Sequence, residues 1–142
     1  MNPMKVELNR INSDYLFEAT GASGVPVYID NKTGEEVRGA SPMELVLMGV
    51  GGCSAIDVIS ILKKQRQEIT SYHIEVEGER EEVKGAKPFK AIHVKVVLEG
   101  DIAPEKAARA AALSFEKYCS VSITLEPGVK ISYEVILNGE AI

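Results

Sequence analysis

The sequence has no tryptophan, only two histidines, only two cysteines and no run of lysine or arginine among its 142 residues. Each absence removes a class of function. A structural zinc site needs four good ligands at recognisable spacing, and His73, His93, Cys53 and Cys119 offer neither a C-x-x-C unit nor a His pair. Nucleic-acid binding needs a basic face to neutralise phosphates, whereas the net charge here is −5. No cationic, apolar leader opens the chain, which sets the cytoplasm as the expected location. In a reducing compartment two distant cysteines are either inert packing or a redox couple. What remains is ordinary for a globular protein, with 45% hydrophobic and 26% charged residues, and the length predicts a single domain over residues 1–142.

The chain is organised around residues 41–66, SPMELVLMGVGGCSAIDVISILKKQR. Ser41, Pro42 and Glu44 form a helix-start signal, an S-x-x-E box with proline at the first helical position. The helix that follows is apolar on nearly every side, which marks it as surrounded by protein. A membrane span takes roughly 20 apolar residues, but Asp57 near the centre would cost about 2.5–3.5 kcal/mol there. A core helix is the better reading. Cys53, Asp57, Ser60 and Lys64 share one helical face, so a cysteine begins the only polar stripe on a buried helix. One subunit's sheet can cover such a helix from one side only, and a homodimer with this helix between subunits is therefore predicted.

Around the helix the pattern is strand-like. Residues 4–10 alternate, placing Met4, Val6 and Leu8 on a half-buried face, and residues 14–20 and 25–30 form a hairpin across the glycine-rich GASG, with Pro26 on an edge strand. A polar connection over residues 30–40 leads into the helix. Two amphipathic strands follow around residues 72–81 and 90–100, with His73 and His93 in their solvent-facing phase. Pro104 opens a second helix running through Cys119, with Ala108, Ala111, Ala112, Phe115 and Tyr118 on its inner face. SVSITLEPGV reads as extended, and KISYEVIL as a last alternating strand. The order β-β-β-α-β-β-α-β predicts an α+β class with a mainly antiparallel sheet.

Gly49, Gly51 and Gly52 precede Cys53 without matching any phosphate-binding loop. Glycine in a helix costs about 1 kcal/mol relative to alanine, and two reasons for keeping it are close helix packing or, at Gly49, open space above the sulfur. A reactive cysteine needs its thiolate. On an unbroken helix Cys53 sits mid-helix, opposed by Asp57; if the glycines break the helix, Cys53 gains an N-terminal position. Cys119, read as the C-terminal end of its helix, has the dipole against it. The asymmetry suggests Cys53 as the attacking and Cys119 as the resolving cysteine, with an arginine from elsewhere required if the helix is unbroken.

SPMELVLMGVGGCSAIDV and EKYCSVS resemble the two cysteine motifs of the OsmC/Ohr superfamily of hydroperoxide-reducing thiol proteins, and SPME, GGCSA and EKYCSV are similar to its YhfA-type branch. The resemblance runs over essentially the whole chain. It implies an OsmC-like fold, an intertwined homodimer with both helices central, and a site at the subunit interface. Cys53 would attack the peroxide and become a sulfenic acid, and Cys119 would condense with it to a disulfide. An organic hydroperoxide is the implied substrate and a dithiol, lipoyl-type in the Ohr group, the implied reductant; no metal and no cofactor is implied.

The match departs from the family at two places. Peroxidase members carry a glutamate directly after the motif's proline, where this chain has Met43, with Glu44 one step later. They also draw an arginine from the early strands, and residues 14–30 contain none. Glu44 and Arg38 are the candidate substrate-binding residues, with Arg10 an alternative to Arg38. A rival reading keeps the fold without turnover, as a binding protein for a small apolar ligand or a thiol-based oxidation sensor. Thiol–disulfide exchange on other proteins is a third, to which a 66-residue cysteine separation and a buried helix are poorly suited.

Overall fold

The computed structural model describes residues 1–34 and 36–142; Glu35, in the polar connection before the long helix, lies outside them. The chain divides into two compact units, Met1–Val46 and Leu47–Ile142.

In the first unit, β1 (Glu7–Arg10), β2 (Phe17–Thr20) and β3 (Val27–Ile29) form an antiparallel sheet in chain order. The predicted strands are present but shorter. Asn12 Oδ1 accepts from the N–H groups of Asp14 and Leu16, and the Arg10 guanidinium donates to the carbonyls of Ser13 and Asp14. These bonds fold residues 11–16 into a turn, which takes the start of the second predicted strand. Pro26 precedes β3 on the sheet edge, as expected. Met4, Val6 and Leu8 are not half-buried; Met4 is 97% exposed and all of β1 faces solvent. The alternation is real, but β1 is an edge strand and the chain itself brings no cover to its apolar phase.

The long helix, α1 (Pro42–Lys64), begins with the predicted box. Ser41 Oγ accepts from the Glu44 N–H at 3.2 Å while a Glu44 carboxylate oxygen accepts from the Ser41 N–H at 2.9 Å. Ser41→Ala should lower stability by about 1 kcal/mol, read as a shift in the denaturant midpoint at unchanged slope. The helix runs unbroken through its glycines. A Cβ at Gly51 would stand 2.8 Å from Val76 Cγ2, so glycine here lets α1 lie directly on the neighbouring strand. Val50, Ser54, Val58 and Leu62 are buried at four-residue spacing, whereas Met48, Gly52, Ile56 and Ile59 form an exposed stripe. By length and hydropathy α1 could cross a bilayer; its strand-packed face and polar stripe are those of a core helix.

In the second unit, β4 (Glu68–Arg80), β5 (Phe89–Asp101), β6 (Lys130–Leu137) and β7 (Glu140–Ala141) form a sheet in that order. All pairs are antiparallel except β5 with β6, which must run parallel because a helical crossover joins them. Tyr72, Ile74 and Val76 of β4 align with Leu98, Val96 and Val94 of β5, and these with Leu137, Val135 and Tyr133 of β6, so one apolar face covers three strands. The opposite face carries His73 and His93, as predicted; His93 bridges Ser132 Oγ at 2.8 Å and Glu134 Oε2 at 2.6 Å. The short β7 was not foreseen, although Asn138 and Gly139, at φ 50° and 85°, are the residues a tight hairpin requires.

The predicted second helix is α2 (Pro104–Leu113) continued by a π-helical turn over Ser114–Tyr118, and a further helix, α3 (Ser120–Leu125), follows it, with Cys119 extended between the last two. SVSITL is thus helical and not extended. The β-branched residues favoured a strand, but the Cys119 sulfur accepts from the Ser122 N–H and the Cys119 carbonyl from the Ile123 N–H, a nucleus that overrides propensity. The buried face consists of Ala107, Ala110, Ala111, Ser114 and Phe115, while Ala108 and Tyr118 are exposed. A run of alanines does not fix the phase of a helix, and the wider π turn rotates Tyr118 outward. Phe115 stacks on Tyr133 of β6 with ring centroids 4.6 Å apart.

Candidate functional site

The fold converts a 66-residue separation into contact. Cys53 Sγ, Cys119 Sγ and a carboxylate oxygen of Asp57 all lie within 4.8 Å of one another. Two of the three come from α1, where Cys53 and Asp57 stand one turn apart on the polar stripe. The third comes from the extended residue between the π turn and α3. Ser114, buried in the alanine face, donates its hydroxyl to Asp57 Oδ2 at 3.0 Å and fixes the carboxylate against the sulfur pair. Cys119 is fully buried and Cys53 partly exposed, so Cys53 is the sulfur a solute reaches first.

Cys119 closes the helical stretch that begins at Pro104, as the sequence suggested, its N–H donating to the Ser114 carbonyl; it is also the N-cap of α3, its sulfur accepting the Ser122 N–H at 3.4 Å. Two helix ends of opposite sign meet at Cys119, so the dipole argument no longer sets it apart from Cys53. Continuity of α1 also decides between the two positions considered for Cys53, which is mid-helix. Burial pushes the Cys53 thiol up; the Val121 N–H pulls the other way, and a hydrogen bond with Cys119 and the charges of Cys119 and Asp57 add to the upward shift. The direction is upward overall. At any given pH Cys53 holds less thiolate than an ordinary cysteine, so its alkylation by iodoacetamide should rise with pH through a midpoint above that of a free cysteine under the same conditions. A midpoint below the free cysteine's would contradict this assignment.

Gly49 is not the open space above the sulfur. A Cβ there would touch Val121 Cγ1 at 3.7 Å, whereas at Gly52 it would meet nothing within 4 Å. The other candidate residues belong to the first unit, where Glu44 and Arg10 are bonded through their side chains and Arg38 through its backbone. Glu44 is held in the cap, where the Ser41 N–H, then the Ser41 hydroxyl and Lys32, keep its carboxyl below the usual range. The Arg38 N–H donates to Asp30 Oδ2 at 3.0 Å, and Arg10 is tied to the turn after β1. Ser114 and Tyr72 escaped the sequence reading. Tyr72 lies within electrostatic reach of Asp57; burial, then that charge, raises its phenol, and its buried hydroxyl has no hydrogen-bond partner among the described residues. Ser114 left one signal, a polar residue within an alanine stripe.

The chain matches the sequence signature of the OsmC-like protein family over residues 32–134. It is 43% identical over 123 residues to Protein YhfA of Escherichia coli K12, covering 84% of this chain and 90% of that protein. Among solved structures, a hypothetical protein from Aquifex aeolicus VF5 superposes with a TM-score of 0.81 at 36% identity, over 97% of this chain and 99% of the other. The organic hydroperoxide resistance protein OhrB of Bacillus subtilis shares the fold, with a TM-score of 0.63 at 22% identity over 95% and 98%.

Proposed function

Because the chain belongs to the OsmC-like protein family, we propose that it is a two-cysteine, thiol-dependent reductase of organic hydroperoxides. The observation that carries this reading is the approach of the Cys53 and Cys119 sulfurs to within 4.8 Å. The Cys53 thiolate attacks the terminal oxygen of the hydroperoxide; the O–O bond breaks, the alkoxide takes a proton and leaves as an alcohol, and Cys53 becomes a sulfenic acid. The Cys119 sulfur then displaces water from that sulfenic acid, forming the disulfide, and a dithiol reductant of lipoyl type restores both thiols. Closing an S–S bond of about 2.05 Å requires the sulfurs to move together. Cys119, on an extended residue between two helical segments, is the partner able to move.

The acting unit in this proposal is a homodimer. A second copy covers the exposed Met48, Ile56 and Ile59 stripe on α1 and the apolar phase of β1. The test of the reading is turnover of cumene hydroperoxide with dihydrolipoate as donor. Consumption of many equivalents per chain, faster with cumene hydroperoxide than with hydrogen peroxide, is expected from the apolar character of the helix that carries Cys53. The upward shift at Cys53 favours a second reading, an oxidation sensor that uses a single equivalent. Consumption that stops at one equivalent with donor present would select it.

A further inference from the structure

The geometry points to a second use of the same three residues: Cys53, Cys119 and Asp57 form a binding site for a soft divalent cation of the zinc class. No zinc spacing exists in the sequence, because two ligands stand one helical turn apart on α1 and the third arrives from the linker before α3. Two sulfurs and a carboxylate select zinc or cadmium over magnesium and calcium, which prefer all-oxygen shells. Donor atoms around tetrahedral zinc stand roughly 3.3–3.8 Å apart, so donors already within 4.8 Å of one another need close by about 1 Å. The extended Cys119 supplies that motion more readily than α1.

The surroundings fit a ligand set. Ser114 donates to Asp57 Oδ2 and leaves free lone pairs on the carboxylate for the cation, as an outer partner does when it orients a carboxylate ligand. Cys53 is partly exposed, which gives the ion an entry path and leaves its fourth position to water. Binding releases the two thiol protons to solvent; two thiolates and one carboxylate then surround a dication, with a net charge of one negative. The ion and the disulfide need the same sulfurs, so the two states exclude each other, and a bound ion shields Cys53 from oxidation. This inference rests on where the three donors lie and is independent of whether peroxide is turned over.

Cadmium is the probe. Reduced protein titrated with Cd2+ should develop a thiolate-to-metal charge-transfer absorption that saturates at one ion per chain and is displaced by Zn2+. Cys53→Ser and Cys119→Ser should each weaken binding about 100-fold or more, and Asp57→Asn about tenfold. Wild-type protein oxidised with diamide to the Cys53–Cys119 disulfide should show no absorption until a phosphine reductant reopens the bond, a control that needs no variant to fold. Saturation at one ion per two chains, Asp57→Asn binding as tightly as wild type, or undiminished binding by the disulfide form would overturn the site.

Discussion

Cys53→Ser should reduce hydroperoxide consumption about a thousandfold or more, because it removes the only group in the proposed cycle that attacks oxygen. Cys119→Ser should behave differently. The first oxidation survives, one equivalent of cumene hydroperoxide is consumed, and a sulfenic acid accumulates at Cys53, where a dimedone-type reagent can trap it. The contrast follows from burial, since Cys53 is partly open and Cys119 fully enclosed. It does not follow from helix ends, because Cys119 caps the start of α3 and Cys53 lies mid-helix. Were Cys119→Ser to abolish the first oxidation while Cys53→Ser retained it, the two roles would have to be exchanged.

Ile56→Asp should turn the proposed dimer into monomers. Ile56 is 68% exposed in the isolated chain, at the centre of the stripe formed with Met48, Gly52 and Ile59. A buried, unpaired carboxylate costs about 3 kcal/mol or more. A two-fold interface contains the position twice, so the loss is about 6 kcal/mol, roughly four decades in the dissociation constant. Sedimentation velocity at micromolar concentration reads the change directly. The side chain is mostly exposed in the isolated chain, so helical circular dichroism should persist; a wild type that sediments as a monomer at every concentration would remove this interface from the account.

Where local chemistry and tertiary packing agree, the sequence was readable. The box at Ser41 and Glu44 needs only four residues and formed as predicted. The alternation in β4, β5 and β6 declared their inner face because every second residue is apolar. The segment around Cys119 was not readable. Val121, Ile123 and Thr124 carry strand propensity, and only the sulfur cap and the offset of a π turn make the segment helical, neither of which has a spacing to recognise. The site followed the same division. Cys53 and Asp57 were visible as a stripe on one helix, and Cys119 was readable as a possible redox partner that the family resemblance then favoured, with no spacing that placed it beside them. Ser114 became visible when its hydroxyl was found on Asp57. The exposed apolar stripe on α1 is the other side of the early observation that this helix is apolar all round: one face lies on β4 at Gly51, and the other is the face assigned to a second copy in the proposed dimer.

The most direct test treats reduced wild-type protein with one equivalent of cumene hydroperoxide, quenches it by alkylation and maps the cysteines by peptide mass spectrometry. The account predicts an intramolecular bond between Cys53 and Cys119 in most chains, with the loss of two hydrogens and no added oxygen. Cys53 recovered as sulfinic or sulfonic acid with Cys119 alkylated as a free thiol would mean that the two sulfurs, though near each other, do not form a redox pair, and would contradict the account.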